Sequence, residues 1–452
     1  MIKKVVSALR RTDWPTSSRR WRQLRHAKAH GASARIPTQR SGSTASVEPT
    51  PAASATSVTT AVTWAVVIGP KRSRGVKVSW AAKAKRLSII VPTYAKDPSR
   101  IRANAECTET TLPCSIGGFE DVTGSVVEMM RHVEAPSAEQ LDAATRVIAD
   151  HLETTPTVTL RLRGRSVLAK LENLQITGSF KIRGALAAID AAHRDDPYGA
   201  VITSSAGNHG LGIAHASGIL HVPATVVVPA NASAAKVKKL RNYDIELIQF
   251  GSSYDEAQAH ALELAEARSI RYISPFNDTN VIAGQATIFA EMLTQAPEIE
   301  HIVVPVGGGG LIAGVLLARA AQGREDVRVT GVQPEASAAM YHVLHGSAMD
   351  SVRHRPTIAD GLAGGGDEGA VTNDLIAAYG VPLVLVDEHL IRQGVREAAE
   401  SNGQVFEGSA ATPYAAIVRG MVDDEDSRIG FIASGRNIAH GLLVELLSEP
   451  LD

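Results

Sequence analysis

Residues 171–186 read LENLQITGSFKIRGAL. The approach, LAKLENLQ (168–175), reads as a strand. The exit, KIRGALAAIDAA (181–192), carries Ile182, Leu186 and Ile189 at helical spacing. Ser179 stands at the expected helix start, which puts Lys181 at a strand-to-helix junction. A lysine opening a helix is ordinarily a solvated surface residue. At such a junction, however, its stem is packed and backbone N–H groups lie nearby. That setting lowers the pKa of an amine and suits Schiff-base chemistry.

Working outward towards the C-terminus, strand and helix texts alternate. Apolar strands are expected at AVIT (200–203), ATVVVP (224–229), IELIQFG (245–251), RYISPFN (271–277), HIVVPV (301–306) and VRVTGVQP (327–334). Helical texts separate them, among them SAAKVKKLRNYD (233–244) and SYDEAQAHALELAEARS (253–269). Short apolar strands alternating with helices indicate parallel sheets covered on both faces, an α/β fold. Ligands then lie at the carboxyl ends of strands, where helices begin. Two such places are rich in glycine. SSAGNHG (204–210) follows one strand, and Gly307-Gly308-Gly309-Gly310 follows another. A glycine run there bares N–H groups, and the helix dipole behind it favours a phosphate. The run fits neither the dinucleotide GxGxxG pattern nor a P-loop.

Working outward towards the N-terminus, SAEQLDAATRVIADHL (137–152) reads as an amphipathic helix and TPTVTLRL (155–162) as a turn into a strand. Upstream of residue 118 periodicity is lost. Residues 1–100 hold 20 Lys and Arg against 3 Asp and Glu, and the remainder holds 26 against 44, so a net charge of −1 hides two unlike pieces. The basic, Ser- and Ala-rich start reads as a disordered extension. It fits a transit peptide, a nucleic-acid-binding arm, or sequence upstream of a natural start near Met129 or Met130. It lacks the interleaved aromatics of a nucleic-acid stacking platform. Two cysteines, Cys107 and Cys114, exclude a disulfide framework and fit a reducing compartment, so a cytoplasmic location is expected. No apolar run reaches the roughly 20 residues of a membrane span. The 15 histidines show no HExxH or paired cluster, so no metal site is expected.

SFKIRGA (179–185), SSAGNHG (204–210), GGGGL (307–311) and SGRN (434–437), in this order, resemble the PLP-dependent serine/threonine dehydratases of the tryptophan-synthase-β-like fold. The resemblance runs from about Pro136 to Leu451. It implies two parallel-sheet, three-layer domains, with 119–199 plus 278–452 as a large PLP-binding domain and 200–277 as a small one. Lys181 would carry pyridoxal 5'-phosphate through an imine and later take the substrate Cα proton. Phe180 would pack beside the ring and Asn208 would bond the ring 3-hydroxyl. Ser205 and the backbone of Gly207, Asn208 and His209 would hold the substrate carboxylate. Gly307, Gly308, Gly309, Gly310 and Leu311 would bind the phosphate, and Ser434 would meet the pyridine nitrogen. Glu407 matches the family's acidic residue near the ring, although a carboxylate opening a helix is also an ordinary cap. TIADGLAGG (357–365) and Ser274 to Asn280 are expected to line the substrate pocket.

The resemblance implies β-elimination of L-threonine or L-serine to a 2-oxo acid and ammonia. The alternatives are a dehydratase of another β-hydroxy amino acid such as phenylserine, a β-replacement synthase of the cysteine or cystathionine type, a serine racemase, or a non-catalytic PLP-binding module. Racemising members carry a serine where this chain has Ala206. A methyl group cannot donate a proton, which favours elimination. Members with a divalent-cation site carry acidic residues where this chain has Gln333 and Ala339; only Glu335 is acidic nearby, so no Mg²⁺ or Ca²⁺ site is expected. The GLAGGGDEG loop (361–369) has Asp367 and Glu368 where an acidic-Pro pair is usual. The chain ends soon after Asn437, so no C-terminal regulatory domain is expected. A homo-oligomer, dimer or tetramer, is implied, with no nucleic-acid or membrane partner.

Overall fold

The computed structural model describes residues 133–348, 351–364, 366–367, 369–422 and 428–449. The N-terminal extension, both cysteines, Met129, Met130 and Glu368 lie outside the described residues.

The first helix, α1 (Ala138–His151), opens with a capping box: Ser137 Oγ accepts from Gln140 N, and Gln140 Oε1 accepts from Ser137 N. Strands β1 (Thr157–Leu162) and β2 (Arg165–Lys170) then form an antiparallel hairpin. Arg163 and Gly164 take φ of 49° and 84° in its turn, the left-handed pair that matches strand twist in a two-residue loop. The chain continues through α2 (Lys181–Asp195), β3 (Val201–Ser204), α3 (Asn208–Leu220), β4 (Ala224–Val228), α4 (Ala234–Leu240), β5 (Glu246–Gln249), α5 (Tyr254–Arg268) and β6 (Arg271–Tyr272). It returns through α6 (Thr279–Gln295), β7 (His301–Pro305), α7 (Gly310–Ala321), β8 (Arg328–Pro334), α8 (Ala339–Leu344), α9 (Val371–Ala378) and β9 (Leu383–Val386). It ends with α10 (Glu388–Asn402), α11 (Gly408–Val418), β10 (Ile429–Ile432) and α12 (His440–Ser448).

Two sheets result. The six-stranded sheet runs β1-β2-β10-β7-β8-β9 and the four-stranded sheet β5-β4-β3-β6. All pairings are parallel except β1 with β2, so an antiparallel strand edges an otherwise parallel sheet. The apolar runs are continuous because both faces are covered. Along β7, Ile302 and Val304 enter one core cluster and Val303 the other. Along β4, Val226 and Val228 face one cluster and Val227 a second, with Ala257, Ala261 and Ala265 of α5 packed on it.

Two elements differ from the sequence expectation. LAKLENLQ is not one strand: β2 stops at Lys170, and Glu172–Leu174 form a 3-10 turn. RYISPFN supplies a strand of only Arg271–Tyr272, and beyond it Pro275 meets Lys181 while Phe276 packs on the turn at Gly308 and Gly310.

A buried ionic cluster fixes α2. Arg183 donates to Glu172 through Nε and Nη2, each at 2.8 Å, and to Glu291 through Nη1 at 2.7 Å and Nη2 at 2.8 Å. Lys170 Nζ donates to Glu291 at 2.7 Å and to the carbonyl of Thr155 at 2.6 Å. All four charged side chains are buried. Burial by itself would raise Glu172, but Arg183 holds its carboxyl below the ordinary range. Two cations and two anions thus tie β2, the 3-10 turn, α2 and α6 together.

Candidate cofactor site

Lys181 is the first residue of α2. Ser179 does not cap this helix, contrary to expectation. It is buried and bridged to Gly435, its hydroxyl lacks a hydrogen-bond partner, and Phe180 takes the cap position. Backbone pairing rather than capping sets the entry: Phe180 N donates to Ser434 O at 3.0 Å and Arg436 N to Gly178 O at 2.8 Å. The Lys181 amine donates to the carbonyl of Pro275 at 2.8 Å and lies 5.2 Å from the Phe180 ring centre. Burial pulls it down to about 8, against the attraction of Glu407.

Pro275 leads directly to Phe276, which packs on the glycine turn. A Cβ on Gly308 would lie 2.4 Å from the Phe276 ring, and one on Gly310 would lie 2.9 Å from the Phe276 carbonyl. The turn is therefore joined to the Lys181 amine through one two-residue segment. Gly309 has φ of +86°, a conformation that side chains resist. Gly307 abuts Leu362 of the 357–364 loop, and Thr372 donates to the Gly308 carbonyl at 2.8 Å. α7 begins at Gly310, so its first N–H groups have no acceptor within the helix. The Leu311 side chain is in the core, which leaves its N–H as what it can offer an anion. We expect Gly308→Ala to weaken pyridoxal phosphate binding by about tenfold or more, roughly 1.4 kcal/mol, because the methyl must displace Phe276. Absorbance titration of the cofactor-free protein checks this; unchanged affinity contradicts it.

The SSAGNHG turn lies between β3 and α3. Gly207 N donates to Ser205 Oγ at 3.2 Å, and α3 begins at Asn208 with Gly207 as its cap. His209 is buried, its Nε2 is 3.4 Å from the Ile273 carbonyl, and burial and Lys181 hold it down to about 3. Its ring is therefore neutral, and its backbone rather than its imidazole belongs to the turn. Ala206 is half-buried against the core.

Glu407 precedes α11 but makes no side-chain cap bond. Its Oε1 accepts from Asn208 Nδ2 at 2.7 Å and its Oε2 from Asn437 N at 2.8 Å. Burial and the neighbouring Asp360 push it up to about 7, opposed by Asn437, Asn208 and Lys236. Ser434 follows β10 and is buried. Gly435 accommodates Glu407, whose Oε1 would lie 2.6 Å from a Cβ there.

Gln333 spans two backbone groups: its Nε2 donates to Val306 O at 3.3 Å and its Oε1 accepts from Tyr341 N at 2.8 Å. Ala339 is buried, and Glu335 pairs with Arg355 at 3.2 Å. Among the described residues, no group of three or more His, Cys, Asp or Glu could hold a metal. Of the 274–280 segment, Pro275 and Phe276 reach the site, whereas Asp278 caps α6. Asn437, Lys236 and the Arg183 cluster were assigned no role from the sequence, and Asp360 was placed only within the TIADGLAGG stretch expected to line the pocket. The SGRN motif was the signal for Asn437.

An amine of lowered pKa, a glycine turn at a helix start and a buried hydroxyl at Ser434 are a donor set that fits pyridoxal phosphate. Residues 148–435 match the family model described as pyridoxal-phosphate dependent enzyme. The chain belongs to this family. Among curated relatives, the L-threonine ammonia-lyase of Thermotoga maritima is 36% identical over 317 residues, covering 69% of this PLP-dependent enzyme and 78% of the relative. Among solved structures, the processed form of threonine deaminase isoform 2 from Solanum lycopersicum aligns with a TM-score of 0.60 at 30% identity, over 70% of this chain and 89% of that one. Serine racemase from Dictyostelium discoideum aligns with a TM-score of 0.61 at 31% identity, over 67% and 98%. The α/β architecture of this PLP-dependent enzyme is thus shared by lyases and racemases.

Proposed function

We propose that this PLP-dependent enzyme is an ammonia-lyase that converts L-threonine or L-serine to the 2-oxo acid and ammonia. The observation that carries the reading is the Lys181 amine, desolvated at the start of α2 and joined through Pro275 and Phe276 to the glycine turn. Relatives named for threonine ammonia-lyase support the substrate class. Ala206 supports elimination over racemisation, because its methyl cannot deliver a proton to Cα.

In this reading Lys181 anchors the cofactor and then takes the Cα proton. The N–H groups of Gly207, Asn208 and His209, with Ser205 Oγ, hold the substrate carboxylate at the positive end of α3. Gly307 to Gly310 and the Leu311 N–H would hold the phosphate, Phe180 would flank the ring and Asn208 would donate to its 3-oxygen. Ser434 would meet the pyridine nitrogen as a hydroxyl, which unlike a carboxylate would not hold that nitrogen protonated. When bound, the cofactor supplies an electron sink for the pair left at Cα, a weaker one against a neutral partner. Such a sink would favour β-elimination over chemistry that needs long-lived charge at Cα. Glu407 contributes through Asn208.

The assay adds L-threonine and L-serine to the purified protein with pyridoxal phosphate. We expect 2-oxobutanoate and pyruvate, no D-serine, and no new product with sulfide. D-serine without 2-oxo acid would make it a racemase, and a thioether or cysteine product would make it a synthase.

Because the unprotonated amine is the nucleophile, cofactor capture should depend on pH. Below about 8 the Lys181 amine is protonated, and above it the amine is free. The rate at which the cofactor-free protein gains the visible band of lysine-bound cofactor should rise with pH to a midpoint near 8. A midpoint at the ordinary lysine value of 10.5 would contradict the buried setting. Among the described residues no helix is long and apolar enough to cross a membrane. A cytoplasmic homo-oligomer completes the proposal, supported by the scarcity of cysteine and by exposed Leu174 and Ile176 on the approach to Lys181.

A further inference from the structure

Asn437 is the point at which four segments meet. Its Nδ2 donates to Asn208 Oδ1 at 2.7 Å and to the carbonyl of Thr177 at 2.9 Å, four residues before Lys181. Its backbone N donates to Glu407 Oε2 at 2.8 Å, and its Oδ1 accepts from Lys239 Nζ at 3.1 Å. Lys239 belongs to α4 of the four-stranded layer, and Lys236 on the same helix pairs with Asp360 at 2.6 Å. α4 is thus fastened at two points, through Asp360 to the 357–364 loop and through Asn437 to the loop after β10.

These bonds determine which way the Asn208 amide faces. Its Oδ1 meets a donor, Asn437 Nδ2, and its Nδ2 meets an acceptor, Glu407 Oε1. Turning the amide over would set NH₂ against NH₂ and a carbonyl against a carboxylate. An amide nitrogen carries two hydrogens, and Glu407 takes one. The other is left for a further acceptor. Lys239 fixes Asn437 in the same manner, because a lysine can only donate and must therefore face Oδ1.

We propose that Asn437 is a positioning residue that holds the Asn208 N–H towards the ring 3-oxygen of the cofactor, and that Lys239 ties this orientation to the four-stranded layer. The proposal rests on the cofactor reading above. A donor held at the ring oxygen favours its anionic form. Losing the hold lets the Asn208 carbonyl turn towards that oxygen and disfavours the anion. The effect appears in the ratio of long- to short-wavelength bands of the lysine-bound cofactor, and in the pH at which they interchange.

The test compares wild type, Asn437→Ala, Asn437→Asp and Lys239→Met, each loaded with pyridoxal phosphate, by absorbance titration across pH. Wild type must first show the visible band; if it does not, the cofactor reading itself fails. Given that band, Asn437→Ala should move the interchange by about one pH unit or more. Asn437→Asp should move it further although it is isosteric, because a carboxylate offers Asn208 only acceptors. Lys239→Met should shift it less and in the same direction. Thermal unfolding of each variant reports the fold, and if Asn437→Ala does not fold, the other two carry the test. A merely packing role for Asn437 predicts that the isosteric Asn437→Asp is the milder change. That order, or a wild-type band ratio and interchange pH in the folded variants, would overturn the proposal.

Discussion

Lys181→Ala is expected to abolish the visible absorbance band and to lower turnover by roughly 10³-fold or more, since in the proposed reaction one residue would serve as covalent anchor and as base. The fold should survive. The Lys181 side chain makes a hydrogen bond to the Pro275 carbonyl, and its amine is desolvated. A lysine whose pKa falls on folding costs stability fully below its folded value of about 8, and the cost is relieved as pH rises from there towards 10.5. Alanine removes that cost. At neutral pH the cofactor-free variant should therefore melt no lower than the cofactor-free wild type. Residual turnover within tenfold of wild type would show that another residue performs the chemistry. Loss of activity together with a collapsed melting temperature would show a structural role instead.

The second large effect falls on stability. Arg183→Met is expected to destabilise the cofactor-free protein by about 3–5 kcal/mol, the usual consequence of leaving buried charge uncompensated. Glu172 would lose its two bonds from Arg183, and Glu291 would retain the Lys170 amine as its remaining cation within the cluster. Burial that raises a lone carboxyl would then act on Glu172 without the opposing guanidinium. The contrast is with Arg163 and Glu397, paired at 3.1 Å with Arg163 53% exposed. There Arg163→Met should cost under about 1 kcal/mol. Urea unfolding of the two variants side by side makes the comparison. Equal midpoints would mean that the buried cluster contributes no more than a surface pair.

Much of this was legible because it is local. β3, β4 and β7 are four or five consecutive buried residues, and a run of that kind announces a strand covered on both faces. Gly307 to Gly310 and the Lys181 motif likewise lie in short unbroken stretches. The rest was hidden because it closes over distance. Lys170, Glu172, Arg183 and Glu291 read as scattered charges until β2, α2 and α6 are packed, and a charge set in apolar text such as IFAEML (288–293) was the trace it left. Asn437 meets Asn208 and Thr177 across more than 200 residues, a pairing without periodicity. Ser179 misled for the opposite reason. Its residue type suits a helix cap, but pairing of residues 178–180 with 434–436 claims the backbone there, and tertiary pairing overrides local preference.

Borohydride reduction of the cofactor-loaded protein, followed by mapping of the labelled peptide by mass spectrometry, identifies the lysine that holds the cofactor. A pyridoxyl group on Lys181 alone is expected. A label on Lys170, Lys236 or Lys239 instead, or no labelled peptide from protein that shows the visible band, would contradict it.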